Sequence, residues 1–241
     1  MKLSKRLKQI ETMVLPNYTH VWDCCCDHGF LGAALLSKGV AQTVHFVDIV
    51  PKLIEELEIK LERFHPHSID NLARTSAKNV LWKTHCIDVA QLPLSQYKGN
   101  HLVIIAGIGG DLMNEFIKSI HQNHKDLAID FLLCPVHHQF SLRQNLISLN
   151  FSLQNEVLVE ENKRFYEIML VSSPNTNKEK NESQPIHSVG SSIWQSTSMQ
   201  QSVTVKQYLT KTLNHYERIQ RKSTNDVQHI IDAYQTVLVE L

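Results

Sequence analysis

Short apolar segments of strand length recur along the first part of the chain, and helical patterns separate them. Most end at a polar residue, a glycine or a proline, which is typical of strands buried on both faces of a parallel sheet. Two alternating segments follow, and a polar turn joins them into a hairpin. The predicted strands lie in residues 22–26, 43–47, 79–87, 101–106, 130–134, 151–159 and 165–171. This order predicts an α/β fold with an open, mostly parallel, seven-stranded sheet.

The pattern changes in the last third of the chain. Residues 173–201 are rich in Asn, Ser, Gln, Lys, Glu and Pro, which is typical of a flexible linker, although Ile193 and Trp194 could dock locally. Two apolar stripes with helical spacing then run through residues 202–241 and predict an antiparallel helical hairpin. We therefore expect an α/β domain in residues 1–172, followed by the linker and the hairpin.

Composition narrows the possible functions. The 241 residues carry 24 basic and 24 acidic side chains, so any surface that binds nucleic acid must be local. No window is long and apolar enough for a membrane span, and the N-terminus lacks the apolar core of a signal peptide. Five cysteines, three of them consecutive, do not resemble a disulfide framework, which favours a reduced, cytoplasmic protein. The run Cys24-Cys25-Cys26 also lacks C-x-x-C spacing, so we expect no metal site.

Acidic residues follow three of the predicted strands. The first strand runs into the turn Asp27-His28-Gly29, and the second and third strands end at Asp48 and Asp88. In doubly wound folds, cofactors bind at the carboxyl ends of the strands, and an acid after the second strand holds the ribose hydroxyls. The same pairing also occurs in α/β domains without a cofactor. Asp88 could accept a hydrogen bond from an adenine amino group, or it could cap the next turn.

Two basic segments and a glycine-rich turn complete the candidate chemistry. The fourth strand runs into Gly107-Ile108-Gly109-Gly110, where three glycines indicate either a close backbone approach in a cleft or a tight turn. The N-terminal helix carries Lys5 and Arg6, which could face a phosphate or belong to a solvated surface. The first helix of the hairpin has an excess of cations that could follow a phosphate backbone or remain solvated. These cations are Lys206, Lys211, Arg218, Arg221 and Lys222.

Several motifs occur in order between residues 3 and 171. They are Leu3-Ser4-Lys5-Arg6-Leu7, Asp23-x-x-x-Asp27-His28, Ile105-Ala106-Gly107-Ile108-Gly109-Gly110, Arg143 in a Leu-Arg helix, and Glu161-Asn162-Lys163-Arg164-Phe165-Tyr166-Glu167-Ile168. Together they resemble the TrmK family, bacterial tRNA (adenine-22-N1)-methyltransferases that use S-adenosylmethionine. The resemblance implies a Rossmann-like class I methyltransferase fold, a C-terminal helical pair, S-adenosylmethionine as cofactor and tRNA as partner. The implied reaction is methyl transfer to N1 of an adenine in tRNA.

The resemblance and the residue chemistry together give the candidate site residues. Asp27 would stabilise positive charge and accept a proton with His28 orienting it, or it would only bind the methionine amino group. The candidate cofactor-binding residues are Asp23, Cys25, Asp27, His28, Asp48, Ile49, Asp88, Ala106, Gly107 and Gly109. The candidate substrate-binding residues are Lys5, Arg6, Phe30, Gly110, Arg143, Arg164, Lys206, Lys211 and Arg218.

Three features depart from the family pattern Asp-x-Gly-Ser-Asp-His and its surroundings. Cys25 and Cys26 occupy the Gly and Ser positions, and a cysteine fits the first of these only if its φ is negative and the cofactor does not press on Cβ. Phe30 stands where Tyr is common, and Val136 replaces a polar residue. Two other functions therefore stay open: a methyltransferase for another RNA or a small molecule, and a non-catalytic RNA-binding protein with a degenerate cofactor pocket. A monomer is favoured.

Overall fold

The computed structural model describes residues 3–66, 81–175, 184–196, 198–222 and 226–238. The helices are α1 (Lys5–Met13), α2 (Phe30–Lys38), α3 (Pro51–Phe64), α4 (Gly110–Asn123), α5 (Gln139–Ser148), α6 (Met199–Lys222) and α7 (Gln228–Gln235). The strands are β1 (Tyr18–Cys24), β2 (Ala41–Asp48), β3 (Leu81–Cys86), β4 (His101–Ala106), β5 (Ile129–Cys134), β6 (Ser152–Glu161), β7 (Arg164–Ser172) and β8 (Gln184–Pro185). The predicted start of the third strand, at residue 79, lies outside the described residues.

All of these strands form one sheet in the order β3-β2-β1-β4-β5-β7-β6-β8. Strands β1 to β5 pair in parallel, whereas β7 pairs antiparallel with both β5 and β6. Parallel pairing places helices on both faces, so the short apolar runs are buried throughout. Residues Leu102 to Ile105 of β4, for example, are completely inaccessible to solvent. The predicted α/β fold with a mostly parallel sheet is confirmed.

The predicted number of strands was one too few. Gln184 and Pro185 form an eighth strand that pairs with Ser152 and Leu153 at the edge of the sheet. Proline is tolerated at a sheet edge because its missing N–H faces away from the ladder. A two-residue strand of polar composition has no alternation of its own, so the sequence pattern did not reveal it.

Helices cover the sheet on both faces because alternate residues of each strand point in opposite directions. Ile117 of α4 and Leu142 of α5 join one apolar core, with Val103 of β4. Ile10 of α1 and Leu35 of α2 join a second core, on the opposite face. These two cores fix the ends of the strands, from which the loops at the carboxyl edge begin.

Three buried histidines and the partly buried His85 form a histidine ladder (His20, His45, His85 and His101) on the face that also carries Trp22. His45 Nε2 lies 3.1 Å from His20 Nδ1, and His45 Nδ1 lies 2.9 Å from His85 Nε2, both within hydrogen-bonding distance. The Trp22 indole N–H donates to His101 Nδ1 at 3.2 Å. Burial lowers the pKa of His45 to about 2 and that of His101 to about 4. The ladder is therefore neutral in the folded protein near pH 7, and its hydrogen bonds tie neighbouring strands together.

The C-terminal region packs on the sheet through a cluster of aromatic residues. Trp194 is buried against Tyr208 of α6, with stacked rings 5.5 Å apart, and Tyr234 of α7 joins the same cluster. Helix α7 ends at Gln235, well before the end of the predicted second stripe, and residues 239–241 lie outside the described residues. The division into domain, linker and hairpin stays a prediction, but the described residues 184–196 are ordered by this packing.

Candidate active site

The candidate site lies at the carboxyl edge of the parallel strands. Strand β1 pairs with β2 on one side and with β4 on the other, so the chain direction across the sheet reverses between β1 and β4. Cys24 at the end of β1 is paired with Ile105 near the end of β4. In open α/β sheets, ligands bind in the crevice outside such a switch point. The turn after β1 and the glycine turn after β4 are therefore neighbours at this crevice, as predicted.

The turn after β1 is built from left-handed backbone. Cys25, Asp27 and Gly29 have φ values of 56°, 48° and 69°. Cys25 therefore occupies the family's glycine position without the negative φ that was set as the condition for a cysteine there, and the left-handed conformation of a non-glycine residue costs about 1 to 3 kcal/mol. Hydrogen bonds offset this strain, because the Asp27 N–H donates to Asp48 Oδ2 at 3.1 Å and the Val50 N–H donates to Asp48 Oδ1 at 3.1 Å. Asp48 thus holds the first turn and the start of α3 together.

Three carboxylates converge beneath this turn. Burial, together with the negative charges of Asp48, Asp23 and Asp88, raises the pKa of the Cys25 thiol to about 11. Asp23 is buried and accepts the Gly32 N–H at 2.8 Å, while burial raises its own pKa to about 7. It therefore fastens α2 to β1, and a cofactor contact for Asp23 stays a prediction.

Asp88 and Ile49 follow the two strands that flank the acidic side of the crevice. Asp88 Oδ1 accepts the Ala90 N–H at 2.9 Å, so Asp88 caps a short 3-10 turn, which was one of its two predicted roles. Ile49 follows Asp48 directly and is 65% exposed. Both residues lie at the edge where the prediction placed the cofactor, but the contacts themselves remain predictions.

Asp27 and His28 are exposed at the mouth of the same crevice. His28 Nε2 is 3.7 Å from Asp27 Oδ1, with the two side chains 47% and 68% exposed. That separation is too long for a hydrogen bond, so His28 does not orient Asp27 in the predicted manner here. The Phe30 ring lies 5.6 Å from the His28 ring and is partly exposed, beside a groove between α2 and α3. The catalytic and base-stacking roles of these residues remain predictions.

The three glycines after β4 do not share one purpose. A Cβ at Gly107, which has φ 89°, would meet only the Arg6 guanidinium, at 4.0 Å. A Cβ at Gly109 would instead lie 2.1 Å from the His137 ring, and one at Gly110 would lie 2.6 Å from the His138 carbonyl oxygen. Of the two predicted reasons for these glycines, a tight turn accounts for Gly109 and Gly110, and open space for a close approach is found at Gly107. Only Gly107 adjoins open space, whereas the other two accommodate the turn that follows β5.

Arg6 of α1 reaches this glycine turn, as its assignment to the site requires. Its guanidinium carbon lies 4.9 Å from the centre of the Tyr166 ring, a cation–π contact. Within the part of the chain that the structure describes, its buried Nε has no hydrogen-bond partner. The backbone N–H of Lys5 donates to the Glu161 carboxylate, which anchors the first turn of α1 beside β6. Helix α1 thus brings one incompletely satisfied cation to the crevice.

Arg143 is not available to RNA, and its predicted role was wrong. Its side chain is fully buried between two carboxylates, with Nη2 2.6 Å from Glu156 Oε2 and Nε 2.8 Å from Glu167 Oε2. Tyr208 OH donates to Glu167 Oε1 at 2.6 Å, and the Ser191 N–H donates to Glu156 Oε1 at 2.6 Å. These five residues form the Arg143 cluster, which joins α5, β6, β7 and α6.

Other predicted cations do lie together at the surface. A cleft with a volume of about 900 Å³ separates α6 from the turns before α5 and β7. Arg164, Lys211 and Arg218 line it, whereas Lys206 is exposed outside it. Arg221 is a further cation of this cationic cleft, and His215, His137 and His138 also line it.

Comparison with known proteins identifies the fold and the family. Residues 3–169 match the family described as a methyltransferase domain. The chain belongs to this family. The methyltransferase domain and the C-terminal helices together are similar to M. capricolum TrmK in complex with S-adenosyl-homocysteine, with 18% identity, a TM-score of 0.69, and coverage of 98% of this chain and 97% of that chain.

Two further solved structures resemble the whole chain of this methyltransferase-domain protein. One is the B. subtilis m1A22 tRNA methyltransferase TrmK, with 15% identity, a TM-score of 0.63, and coverage of 97% of both chains. The other is a candidate tRNA (m1A22) methyltransferase of Streptococcus pneumoniae with bound S-adenosyl-L-methionine, with 16% identity, a TM-score of 0.63, and coverage of 97% of this chain and 98% of that chain. At these identities the likeness concerns the fold. No curated protein matched the chain by sequence.

Sequence reasoning missed the residues after β5 of the methyltransferase domain. His137 and His138 follow Pro135 at the crevice edge, and His138 Nδ1 lies 2.5 Å from Asp111 Oδ2 at the start of α4. Two consecutive histidines after the proline that ends a central strand were the available signal. Among the described residues, no cluster of His, Cys, Asp or Glu has the geometry of a metal site, and no helix is long and apolar enough to cross a membrane.

Proposed function

We propose that this protein transfers a methyl group from S-adenosylmethionine to N1 of an adenine in tRNA, at the position equivalent to adenine 22. The family match establishes the methyltransferase domain, and the similar solved structures, which include the B. subtilis m1A22 tRNA methyltransferase TrmK, cover almost the whole chain. The observation that carries the proposal is the crevice between the turns after β1 and β4. Two left-handed residues and an open glycine position lie there, where a doubly wound fold binds its ligand.

The residues at this crevice fit S-adenosylmethionine. Asp48 already accepts two backbone N–H groups, but an ionised carboxylate has about four acceptor sites, which leaves capacity for ribose hydroxyls. Asp88 retains acceptor capacity for an adenine amino group in the same way. The open position at Gly107 leaves room for close approach to the backbone. When bound, the cofactor supplies an electrophilic methyl group on a sulfonium sulfur, and adenine N1 supplies the electron pair that receives it.

The protein's own side chains would align the base and compensate its new positive charge. Asp27 is an exposed carboxylate at the turn, and His28 lies beside it. In the crevice, a negative charge near the base would stabilise the transition state more than the neutral reactant. Arg6, beside Gly107, would hold a phosphate of the substrate, and Phe30 would stack on an unstacked base.

The cationic cleft would hold the tRNA backbone. Arg164, Lys211 and Arg218 face a groove of about 900 Å³ that also reaches His138 at the crevice edge. Counterion release from phosphates makes such contacts strongly salt-dependent. Binding through one concave cationic surface is consistent with a formal net charge of zero for the whole chain. We further propose that the protein is a cytoplasmic monomer, since its five cysteines do not resemble a disulfide framework.

The direct test is methylation of a tRNA transcript by the purified chain. We expect one 1-methyladenine per transcript, detected by mass spectrometry of the nucleosides, and no product from a matched transcript with guanine at position 22. Methylation of a different nucleotide would show that the proposed target position is wrong. Calorimetry with S-adenosylmethionine alone tests the alternative of a non-catalytic RNA-binding protein. Absence of binding at millimolar concentration would indicate a degenerate cofactor pocket.

Asp27→Asn distinguishes the two roles of Asp27. Asparagine tolerates left-handed backbone, so the turn should keep its shape. If the carboxylate compensates charge on the base, the rate of methyl transfer should fall about 100-fold while cofactor affinity stays unchanged. If it binds the methionine amino group, cofactor affinity should fall instead. Unchanged rate and unchanged affinity would remove Asp27 from the site.

A further inference from the structure

A histidine–aspartate pair bridges the loops that follow β4 and β5. His138 Nδ1 lies 2.5 Å from Asp111 Oδ2, and both side chains are about half exposed, at 51% and 63%. His138 has left-handed backbone, with φ 60° and ψ 38°, although it is not a glycine. It precedes α5 but its side chain makes no capping hydrogen bond to that helix. Helix capping therefore does not account for a histidine at this strained position.

The surrounding backbone holds the pair in place. The Gly110 N–H donates to the His137 carbonyl oxygen at 2.9 Å, and the Val136 N–H donates to the Ile108 carbonyl oxygen at 2.9 Å. Any side chain at Gly110 would collide with backbone, since a Cβ would lie 2.6 Å from the His138 carbonyl oxygen. Left-handed conformation of a non-glycine residue is unfavourable and persists where neighbouring structure fixes it, commonly at functional sites.

The location of the pair is suited to contact with a base. Strand β4 lies between β1 and β5, and neighbouring strands are about 4.8 Å apart, so the turn after β1 and the turn after β5 are separated by about 10 Å. If the turn after β1 holds the cofactor, the acceptor base approaches from the β4–β5 side. His138 also lines the cationic cleft, so a base turned out of an RNA held there would reach it.

The chemistry of the pair matches one group of adenine. A carboxylate next to Nδ1 holds the proton on that nitrogen and leaves the Nε2 lone pair as an acceptor. The 6-amino group of adenine donates hydrogen bonds, and it becomes a stronger donor when N1 gains a methyl group and the ring gains positive charge. An acceptor backed by a carboxylate therefore binds the charged base more strongly than the neutral one, which is the condition for accelerating the reaction.

We propose that the His138–Asp111 pair is the subsite for the 6-amino group of the target adenine, with His138 Nε2 accepting its N–H and Asp111 holding the imidazole. This inference rests on the proposed methyl transfer to adenine N1. Three other basic or titratable side chains face the pair: His137 from the same turn, with ring centres 4.4 Å apart, and His215 and Arg164 from the walls of the cationic cleft. Among the described residues, no carboxylate makes a hydrogen bond to any of these three side chains as Asp111 does to His138.

The test uses His138→Gly, because glycine removes the imidazole and relieves the left-handed strain. We expect the single-turnover rate on tRNA to fall about 100-fold, with the KM for tRNA changed by less than about twofold and thermal stability equal or higher. Asp111→Asn should lower the rate less, because the imidazole remains. Asn150→Gly is the matched control: Asn150 is also left-handed, with φ 56°, but follows α5 at the opposite end of that helix, and its replacement should leave the rate unchanged.

A binding measurement provides a second, independent readout. The side-chain resonance of His138, assigned by its loss in His138→Gly, should shift when adenosine 5′-monophosphate is added to the full chain and shift less with inosine 5′-monophosphate, which lacks the 6-amino group. If wild-type protein methylates tRNA but His138→Gly retains the full rate, the inference is wrong while the proposed function stands. If wild-type protein methylates no adenine, the proposed function fails, and an absent adenosine-specific shift would also overturn the subsite.

Discussion

The buried Arg143 and the exposed arginines of the cationic cleft lie close together in this protein but differ in exposure and in charged partners. Arg143 is enclosed in the Arg143 cluster, with no exposed surface and a carboxylate on either side. Arg164 and Arg218 face the cationic cleft, which shares Tyr208 with the cluster. Burial alone would raise the pKa of Glu156, but the charge of Arg143 and hydrogen bonds from Ser191 bring it below its ordinary value. The difference teaches that pairing, not proximity to a basic region, decides whether a cation is free to bind RNA.

The Arg143 cluster also positions the cleft. Tyr208 belongs to α6, and its hydroxyl donates to Glu167 of β7 at 2.6 Å. The same helix carries Lys211 and Arg218 one and three turns further along. A buried charge network that holds α6 at Tyr208 thereby fixes where the exposed cations of the same helix lie. The buried arginine supports substrate binding only through this geometry.

The largest expected effect is that of Arg143→Ala on stability. Removing the arginine leaves Glu156 and Glu167 buried without their cation, which costs about 3 to 5 kcal/mol. Urea unfolding should show this loss as a lower midpoint, whereas Arg218→Ala should change the free energy of unfolding by less than about 0.5 kcal/mol. A loss below about 1 kcal/mol for Arg143→Ala would mean that the cluster is not a stabilising unit.

A second prediction extends the comparison to histidines. Burial lowers the pKa of His45 to about 2 and that of His101 to about 4, so the unfolded chain, with values near 6.5, takes up protons first as the pH falls. Their contribution to stability is therefore present above about pH 6.5 and lost below it, by up to about 1.4 kcal/mol per pH unit for each histidine.

Urea unfolding at pH 7.5 and pH 5.5 checks this sign and size. We expect a loss of about 2 to 3 kcal/mol between the two pH values from His45 and His101 together. The exposed His229 offers a control, because His229→Gln should leave the pH dependence unchanged. Equal stability at both pH values would contradict a neutral, buried histidine ladder.

A smaller effect is expected for Tyr208→Phe, which removes one hydroxyl from the boundary between cluster and cleft. Hydrogen bonds to charged groups contribute about 1.5 to 3 kcal/mol, so unfolding should become easier by about 2 kcal/mol. Because α6 then loses one anchor on β7, the KM for tRNA should rise while cofactor affinity stays constant. An unchanged KM would show that the aromatic packing around Trp194 holds α6 without the hydrogen bond.

Arg218→Ala should have the smallest effect on stability, but it should weaken tRNA binding. Removal of an exposed cation that contacts one phosphate should weaken binding of every tRNA sequence to a similar extent. It should also reduce the slope of log affinity against log salt concentration by about 1. Lys118→Ala on the exposed face of α4 is the matched control and should leave that slope unchanged. If both variants behave alike, the cleft does not bind the RNA backbone.

Much of the architecture could be predicted from local pattern. The apolar run of β4 and the glycine that ends α2 at residue 39 can be recognised within a few residues, because local sequence governs strand burial and helix termination. The meeting of the turns near Asp27 and Gly107 followed from strand order, since parallel strands place their carboxyl ends at one edge. The edge strand at Gln184 could not be predicted, because its pairing partner lies some thirty residues away.

The sequence by itself determined the α/β fold, the family and the position of the crevice, because these depend on periodicity and on turn residues that act over short distances. Only the tertiary structure decided which charges are free. Arg143 and Arg218 are the same residue type, and only their three-dimensional neighbours make one internal and the other accessible. The same holds for Gly109 and Gly110, which accommodate a turn of the chain, because the atoms that occupy their space come from residues almost thirty positions further along.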